Sequence, residues 1–151
     1  MRWYAGLLIL GLLLTGSVRG SSAQTIALGA QFGAPTGVAL NIETSRGIYD
    51  ALAAWDLGSF LFIQGHQWVL YGPLYPEQPR DISYFTGPGA VLGIRVHERS
   101  SDVVVGLSGN FGLRYKLQRV AFFFQLTPRL ELLPATRADI GGGIGFLYDI
   151  Q

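Results

Sequence analysis

Residues 103–117, VVVGLSGNFGLRYKL, decide the fold class because two kinds of side chain alternate along them. The large apolar residues are Val103, Val105, Leu107, Phe111, Leu113, Tyr115 and Leu117; the small or polar ones between them are Gly106, Ser108, Asn110, Gly112, Arg114 and Lys116. A side-chain period of two is that of a β-strand. A strand in a soluble protein is usually about 5 or 6 residues long, whereas one that crosses a bilayer needs about 9 to 11. The length of this pattern therefore favours a membrane β-barrel.

The same alternation recurs along the chain and predicts eight strands. They cover residues 25–32, 38–43, 48–57, 60–71, 84–97, 103–117, 120–132 and 140–151. The fourth is too apolar for its facing to be assigned, except that Gln64 and His66 are expected to point inward. Pro128 cannot donate to a β-ladder and is expected to mark a bulge. Residues 72–83, with three prolines, form the only long irregular connection.

Residues 1–23 read as a signal peptide. Arg2 supplies a positive start, residues 5–14 (AGLLILGLLL) an apolar core, and Ser21-Ser22-Ala23 a cleavage site, so cleavage is expected after Ala23. A membrane anchor is the alternative, but ten apolar residues are half of the ~20 that a spanning helix needs. Residues 24–151 then form a single β-barrel domain. The chain contains no cysteine, which excludes disulfides and thiolate metal sites.

Charge is scarce in this chain. Removal of Arg2 and Arg19 with the signal reduces eleven basic residues to nine against ten acidic ones, a net charge of −1. No basic run remains that would serve as a footprint for nucleic acid. Charged residues are 14% of the chain, where about 25% is usual. A soluble domain of this size normally covers its surface with Lys and Glu, so the composition predicts that the outside of this protein does not face water.

The composition of the two strand faces indicates which one is inside. The polar face is mostly Gly, Ser, Ala, Gln and Asn with balanced charges, which suits the crowded, side-chain-filled interior of a small barrel. We therefore predict an all-β fold, an eight-stranded antiparallel up-and-down transmembrane β-barrel with a polar interior. The charged residues expected to form an interior polar network are Glu43, Asp50, Asp56, Arg95, Arg114, Lys116, Arg129 and Glu131. A narrow gated pore lined by them is the alternative to a closed network.

Several segments together resemble one family. These are Gly33-Ala34-Pro35-Thr36-Gly37 after the first strand, the aromatic fourth strand, residues 84–93, Thr127-Pro128 followed by Pro134, and the glycine run in residues 140–148. This order is similar to that of small OmpA/OmpX-type outer-membrane β-barrel proteins, most of all an uncharacterised subgroup. The resemblance covers nearly all of residues 24–151. It implies the fold, an outer-membrane location, and outer-membrane lipid and the barrel-assembly machinery as partners.

The sequence departs from this family in two places. Such barrels commonly end on an aromatic residue that the assembly machinery reads, whereas this chain ends Tyr148-Asp149-Ile150-Gln151. With eight strands and a periplasmic start, the long connection of residues 72–83 also falls on the periplasmic side, where turns are usually short. Either the strand count before residue 72 is wrong by one, or the outer loops are unusually short.

Catalytic chemistry has weak support in the sequence. His97-Glu98 with Ser100, Ser101 and Asp102 contains the residue types of a nucleophilic triad, but these are also ordinary turn residues. Two glycine runs, residues 87–89 and 141–145, lack the following helix that a phosphate cradle requires, so we expect them to serve packing and close backbone approach.

The sequence therefore predicts a monomeric integral outer-membrane protein with a structural or surface-interaction role. No enzymatic activity, metal or cofactor is predicted. Two other classes stay open: a soluble lipocalin-like carrier with its apolar face inside, and an outer-membrane lipid-modifying enzyme in which His97 acts.

The facing of residues 103–117 is directly testable. Leu107→Arg places a charge on the face assigned to lipid, which costs about 2–4 kcal/mol near the bilayer midplane, so it should block membrane assembly far more severely than Ser108→Ala. Immunoblots of outer-membrane fractions measure both variants. Equal assembly of the two would contradict the assigned facing.

Overall fold

The computed structural model describes residues 24–56, 60–75, 77 and 81–151 as β-strands and their connections. The predicted signal peptide, residues 1–23, lies outside the described residues. The β-segments are β1 (Thr25–Ala34), β2 (Thr36–Thr44), β3 (Gly47–Asp56), β4 (Phe60–Trp68), β5 (Leu70–Pro73), β6 (Ile82–Val96), β7 (Ser101–Leu117), β8 (Val120–Leu133) and β9 (Arg137–Asp149). No described helix is long and apolar enough to cross a membrane.

Consecutive segments pair antiparallel, and the first pairs with the last. β1 pairs with β9 from Ala27 opposite Asp149 to Ala34 opposite Gly142, while β4 and β5 both pair with β6. β4 and β5 are therefore two parts of one strand. The predicted closed, eight-stranded, up-and-down antiparallel barrel is confirmed.

The division between β4 and β5 is a β-bulge. In β4, His66 lies opposite Gly89, and the same register would place Leu70 opposite Phe85. In β5, Leu70 instead lies opposite Thr86. One extra residue at Val69 therefore resets the alternation. Trp68 faces inward before the bulge, and Tyr71, opposite the buried Phe85, faces inward after it. This reset explains why the sequence alone does not give the facing of residues 60–71.

The predicted bulge at Pro128 is wrong in position. Pro128 keeps the register of its neighbours against β9, where it lies opposite Ile140. The shift between β7 and β8 occurs later, since Gly106 pairs with Glu131 but Val105 pairs with Leu133. The extra residue is Leu132, near the end of the strand, where the ladder has fewer hydrogen bonds to lose.

The long connection lies at the same end of the barrel as Thr25 and Asp149. Its flanks are paired, since Gly72 lies opposite Tyr84 and Pro73 opposite Ser83, so only residues 74–81 separate the two strands. At the opposite end the connections are residue 35 and residues 57–59, 97–100 and 134–136. The strand count of eight stands, and the connections at the end away from Thr25 and Asp149 are short.

The side chains divide between the two faces as the alternation predicts. On β7, Val103, Leu107 and Phe111 are between 56% and 59% exposed, whereas Asn110 is fully buried. The interior contains one apolar cluster around Leu52, Phe62 and Phe123. A second, smaller cluster joins Ile48, Trp68 and Phe85, in which the Trp68 and Phe85 rings stack with centroids 4.1 Å apart.

Glycines on the inner face are needed because neighbouring backbone comes close to them. A Cβ atom on Gly145 would lie 2.3 Å from the carbonyl O of Ala30 and 2.4 Å from Cζ of Phe123. A Cβ on Gly109, on the outer face of β7, would meet nothing closer than 3.6 Å. Gly145 therefore sets how tightly β9 fits between β1 and β8.

We expect Gly145→Ala to lower the free energy of unfolding by about 1–3 kcal/mol, because the methyl group overlaps backbone that cannot move independently. Gly109→Ala is the matched control and should change it by less than about 0.5 kcal/mol. Urea unfolding of the purified protein, followed by tryptophan fluorescence, measures both. Equal stability of the two variants would show that the inner face has room to spare.

Candidate functional site: the polar interior and its two vestibules

The interior has an open vestibule at each end and a filled middle. The upper vestibule, at the end away from Thr25 and Asp149, has a volume of about 510 Å³ and is lined by Gly33, Ala34, Pro35, Thr36, Trp55, Phe60, Phe62, Arg95, Arg129, Glu131, Arg137, Asp139 and Ile140. The lower vestibule has a volume of about 570 Å³ and is lined by Glu43, Ile48, Trp68, Tyr71, Gly72, Pro73, Ser83, Arg114 and Lys116. Between them lie the apolar cluster and a group of polar side chains.

Asp50 is the centre of the middle layer. Its Oδ1 lies 2.7 Å from Nδ1 of His66, and its Oδ2 accepts hydrogen bonds of 2.5 Å from Nε1 of Trp68 and from Nδ2 of Asn110. Nε2 of His66 in turn lies 3.0 Å from Oγ of Ser108. A carboxylate taken out of water needs such donors, because each unmade hydrogen bond there costs about 1–3 kcal/mol.

The glycines of β6 make this layer possible. Gly89 pairs with His66 on one side and with Ser108 on the other, and a Cβ on Gly89 would lie 2.4 Å from Cδ2 of His66. Because Gly89 has no side chain, His66 can extend across β6 and reach Ser108. The glycine run of residues 87–89 therefore serves close packing, as the sequence predicts.

The chain Ser108–His66–Asp50 repeats the order of contacts found in a nucleophilic triad. It lacks space for a substrate: the His66 side chain is completely buried, and the cavity beside Asp50 has a volume of about 20 Å³, close to that of one water molecule. The three side chains form a hydrogen-bond network inside the barrel. The triad suggested at His97 has ordinary turn geometry, with His97 3.5 Å from Asp102 and its backbone N–H donating to the carbonyl O of Ser100.

A second polar contact crosses the middle layer. Nε2 of Gln125 donates to Oε1 of Gln31 at 2.6 Å, and Nε2 of Gln31 donates to the carbonyl O of Pro35 at 3.0 Å. Gln64, by contrast, is 1% exposed and neither its Oε1 nor its Nε2 has a hydrogen-bond partner among the described residues. The middle layer thus contains both satisfied and unsatisfied amides.

Ion pairs line the two vestibules. In the upper one, Arg95 binds Glu131 through two hydrogen bonds, of 2.7 and 3.1 Å, and its guanidinium lies 4.6 Å from the centroid of the Phe60 ring. Nη2 of Arg129 donates to Oδ2 of Asp139 at 2.5 Å. The planar fork of an arginine matches a carboxylate, which makes the Arg95–Glu131 pair the better organised of the two.

In the lower vestibule, Nη1 of Arg114 donates to Oε1 of Glu43 at 2.6 Å, and its guanidinium lies 5.1 Å from the centroid of the Trp68 ring. Nζ of Lys116 lies 3.0 Å from Oδ2 of Asp149. Both pairs are partly exposed, so water screens them and each stabilises the barrel little.

The structure divides the predicted network into three layers, the lower two of which meet at Arg114. Arg95, Arg129 and Glu131 lie in the upper vestibule, Asp50 in the middle, and Glu43, Arg114 and Lys116 in the lower vestibule. The side chain of Asp56 lies outside the described residues. The partners that the prediction did not include are His66, Trp68, Ser108, Asn110, Asp139 and Asp149.

One of these partners follows from hairpin geometry. Pairing of Asp56 with Phe60 across the turn places Asp50 directly opposite His66, so the hairpin register is the signal that finds this contact. In the described part of the chain, no three His, Asp or Glu side chains are grouped to hold a metal ion.

Comparison of the chain with models of known protein families, with curated proteins and with solved structures finds no match.

The contacts of the middle layer predict how two substitutions in it change the free energy of unfolding, and one of the two serves as the control. Asp50→Asn removes the charge that three donors share, so we expect a loss of about 2–3 kcal/mol in the free energy of unfolding. Gln64→Met removes two unsatisfied polar atoms at similar volume and should be neutral or stabilising. Urea unfolding of the purified variants measures both. A larger loss for Gln64→Met than for Asp50→Asn would contradict this account of the interior.

Proposed function

We propose that this protein is an integral outer-membrane β-barrel of the OmpA/OmpX type, with a structural or surface-interaction role and no open pore. The observation that carries the proposal is the outward face of the closed sheet. It presents apolar side chains on every strand, among them Leu28, Val38, Leu61, Leu92 and Leu107, each at least 45% exposed. Monomeric soluble proteins rarely expose so large a continuous apolar surface.

The height of this surface suits a bilayer. On β7 the outward apolar residues run from Val103 to Leu117. At about 3.4 Å per residue and a tilt of about 40°, these residues span about 36 Å along the barrel axis, which is enough to cross a hydrocarbon core of about 30 Å. A closed sheet can lie in lipid because each backbone group bonds to a neighbouring strand.

Tyrosines mark one edge of the surface. Tyr49, Tyr84, Tyr115 and Tyr148 all point outward, and each lies within two residues of a strand end at the side of the barrel that holds Thr25 and Asp149. Tyrosine favours the boundary between lipid and water because its ring is apolar and its hydroxyl is polar. These four residues support a membrane interface at that end.

The filled middle supports the absence of an open pore. Phe62 and Leu52 are each 2% exposed, and Phe123 is 9% exposed. Eight strands enclose a lumen that side chains fill. The same geometry speaks against a lipocalin-like carrier, because the apolar faces point outward and the inner surfaces of both vestibules carry charges.

Cell fractionation tests the proposal. We expect the expressed protein in the outer-membrane fraction, resistant to extraction with alkaline carbonate, and with different gel mobility before and after boiling. Phospholipid vesicles that contain the protein should retain small solutes. Recovery as a soluble periplasmic protein would overturn the membrane assignment, and release of small ions from the vesicles would overturn the closed lumen.

A further inference from the structure

The upper vestibule has an excess of positive charge. Its lining contains three arginines, Arg95, Arg129 and Arg137, and two carboxylates, Glu131 and Asp139, which leaves one net positive charge among these residues. Glu131 is fully engaged by Arg95 through two hydrogen bonds. Asp139 is therefore the remaining carboxylate for both Arg129 and Arg137.

Arg129 has fewer hydrogen bonds than a buried guanidinium normally makes. Its side chain is 9% exposed, and its only hydrogen bond among the described residues is from Nη2 to Asp139. Nε and Nη1 are buried with no hydrogen-bond partner. Buried donors in folded proteins nearly always have acceptors, so two nitrogen atoms of Arg129 lack the acceptors that such donors normally have.

The surroundings of Arg129 hold its guanidinium in place. Its Cζ lies 4.9 Å from the centroid of the buried Phe62 ring, a cation–π contact that holds the group against the ring. The Asp139 side chain, in contrast, is 44% exposed and can turn aside toward solvent. The guanidinium of Arg129 is thus held in place, while its hydrogen-bond partner Asp139 can be displaced by another anion.

We propose that the upper vestibule binds a small oxyanion of the phosphate type, held by Arg129 with Arg137 beside it. A guanidinium offers two parallel N–H groups, which match two oxygens of one phosphate. The vestibule of about 510 Å³ exceeds the size of a single phosphate, so the anion can be free or part of a larger molecule such as a lipid headgroup. The proposal concerns the lumen and does not depend on what surrounds the barrel.

Calorimetric titration of the protein, folded in an uncharged detergent, tests this site. One arm adds inorganic phosphate at constant ionic strength set with chloride. The other adds short-chain phosphatidic acid in mixed micelles, with the same micelles lacking it as the blank. We expect saturable binding with one site per barrel; binding of inorganic phosphate identifies a free anion as sufficient, and binding in the micelle arm alone identifies a lipid headgroup.

Matched variants decide whether Arg129 is the ligand. Arg129→Gln should weaken binding about tenfold or more, because a charge-assisted pair of hydrogen bonds is lost, while Arg119→Gln, in the turn at the opposite end, should bind as the unaltered protein does. If Arg129→Gln does not fold, the variant Arg137→Gln is used instead, because Arg137 is exposed. This variant should weaken binding about fivefold. Absence of saturable binding in both arms, or equal affinity of the vestibule variant and Arg119→Gln, would overturn the proposal.

Discussion

Closure of the sheet by β1 and β9 is the constraint on which the rest of this structure depends. Eight strands joined edge to edge leave a lumen only as wide as facing side chains, so each inward position is limited in size and each inward polar atom must find its partner inside. The seam itself shows this limit. Gly29, Gly33 and Gly143 lie along it, where a Cβ would overlap the backbone of the opposite strand.

The chain has few charged residues, and most of those in the described part lie inside the barrel or at its vestibules. The narrow lumen explains how they are accommodated there. Arg95 with Glu131 and Arg114 with Glu43 form pairs across the interior, and Asp50 collects donors from β4 and β7. Burying such groups stabilises a fold only when each finds its partners. Unpaired polar atoms remain on Gln64, Asn110, Arg114, Thr127 and Arg129 among the described residues. Of these residues, Arg129 lines the upper vestibule and has two unpaired donors, whereas Arg114 lines the lower vestibule and has one.

The eight strands and the two faces of the barrel could be predicted because alternation is a local property. Every inward position predicted on residues 103–117 is indeed inward, from Gly106 to Lys116. The bulges could not be located in the same way: Val69 lies in an unbroken apolar run, and Leu132 forms its bulge although Pro128 is the residue that disfavours the ladder. The position of each bulge depends on how two neighbouring strands pair. The sequence of one strand alone does not determine it.

The contacts of the site were less predictable than the residues that make them. The opposition of Asp50 and His66 follows from a hairpin, but the approach of Ser108 to His66 depends on Gly89 in the strand between them. A glycine that permits contact between its two neighbours leaves no local pattern in the sequence. The polar composition of the lumen was therefore predictable, whereas its division into three layers depended on the three-dimensional register.

The central claim is that lipid surrounds the apolar face while the polar face encloses the lumen. The chain has no cysteine, so single cysteines placed in turn at residues 103–117 and spin-labelled in vesicles report their surroundings by collision with oxygen, which concentrates in lipid, and with a water-soluble nickel complex. The account predicts oxygen accessibility that alternates with a period of two and is highest at 105, 107, 111 and 113. High accessibility of these four positions to the nickel complex, or the opposite phase of the alternation, would contradict it.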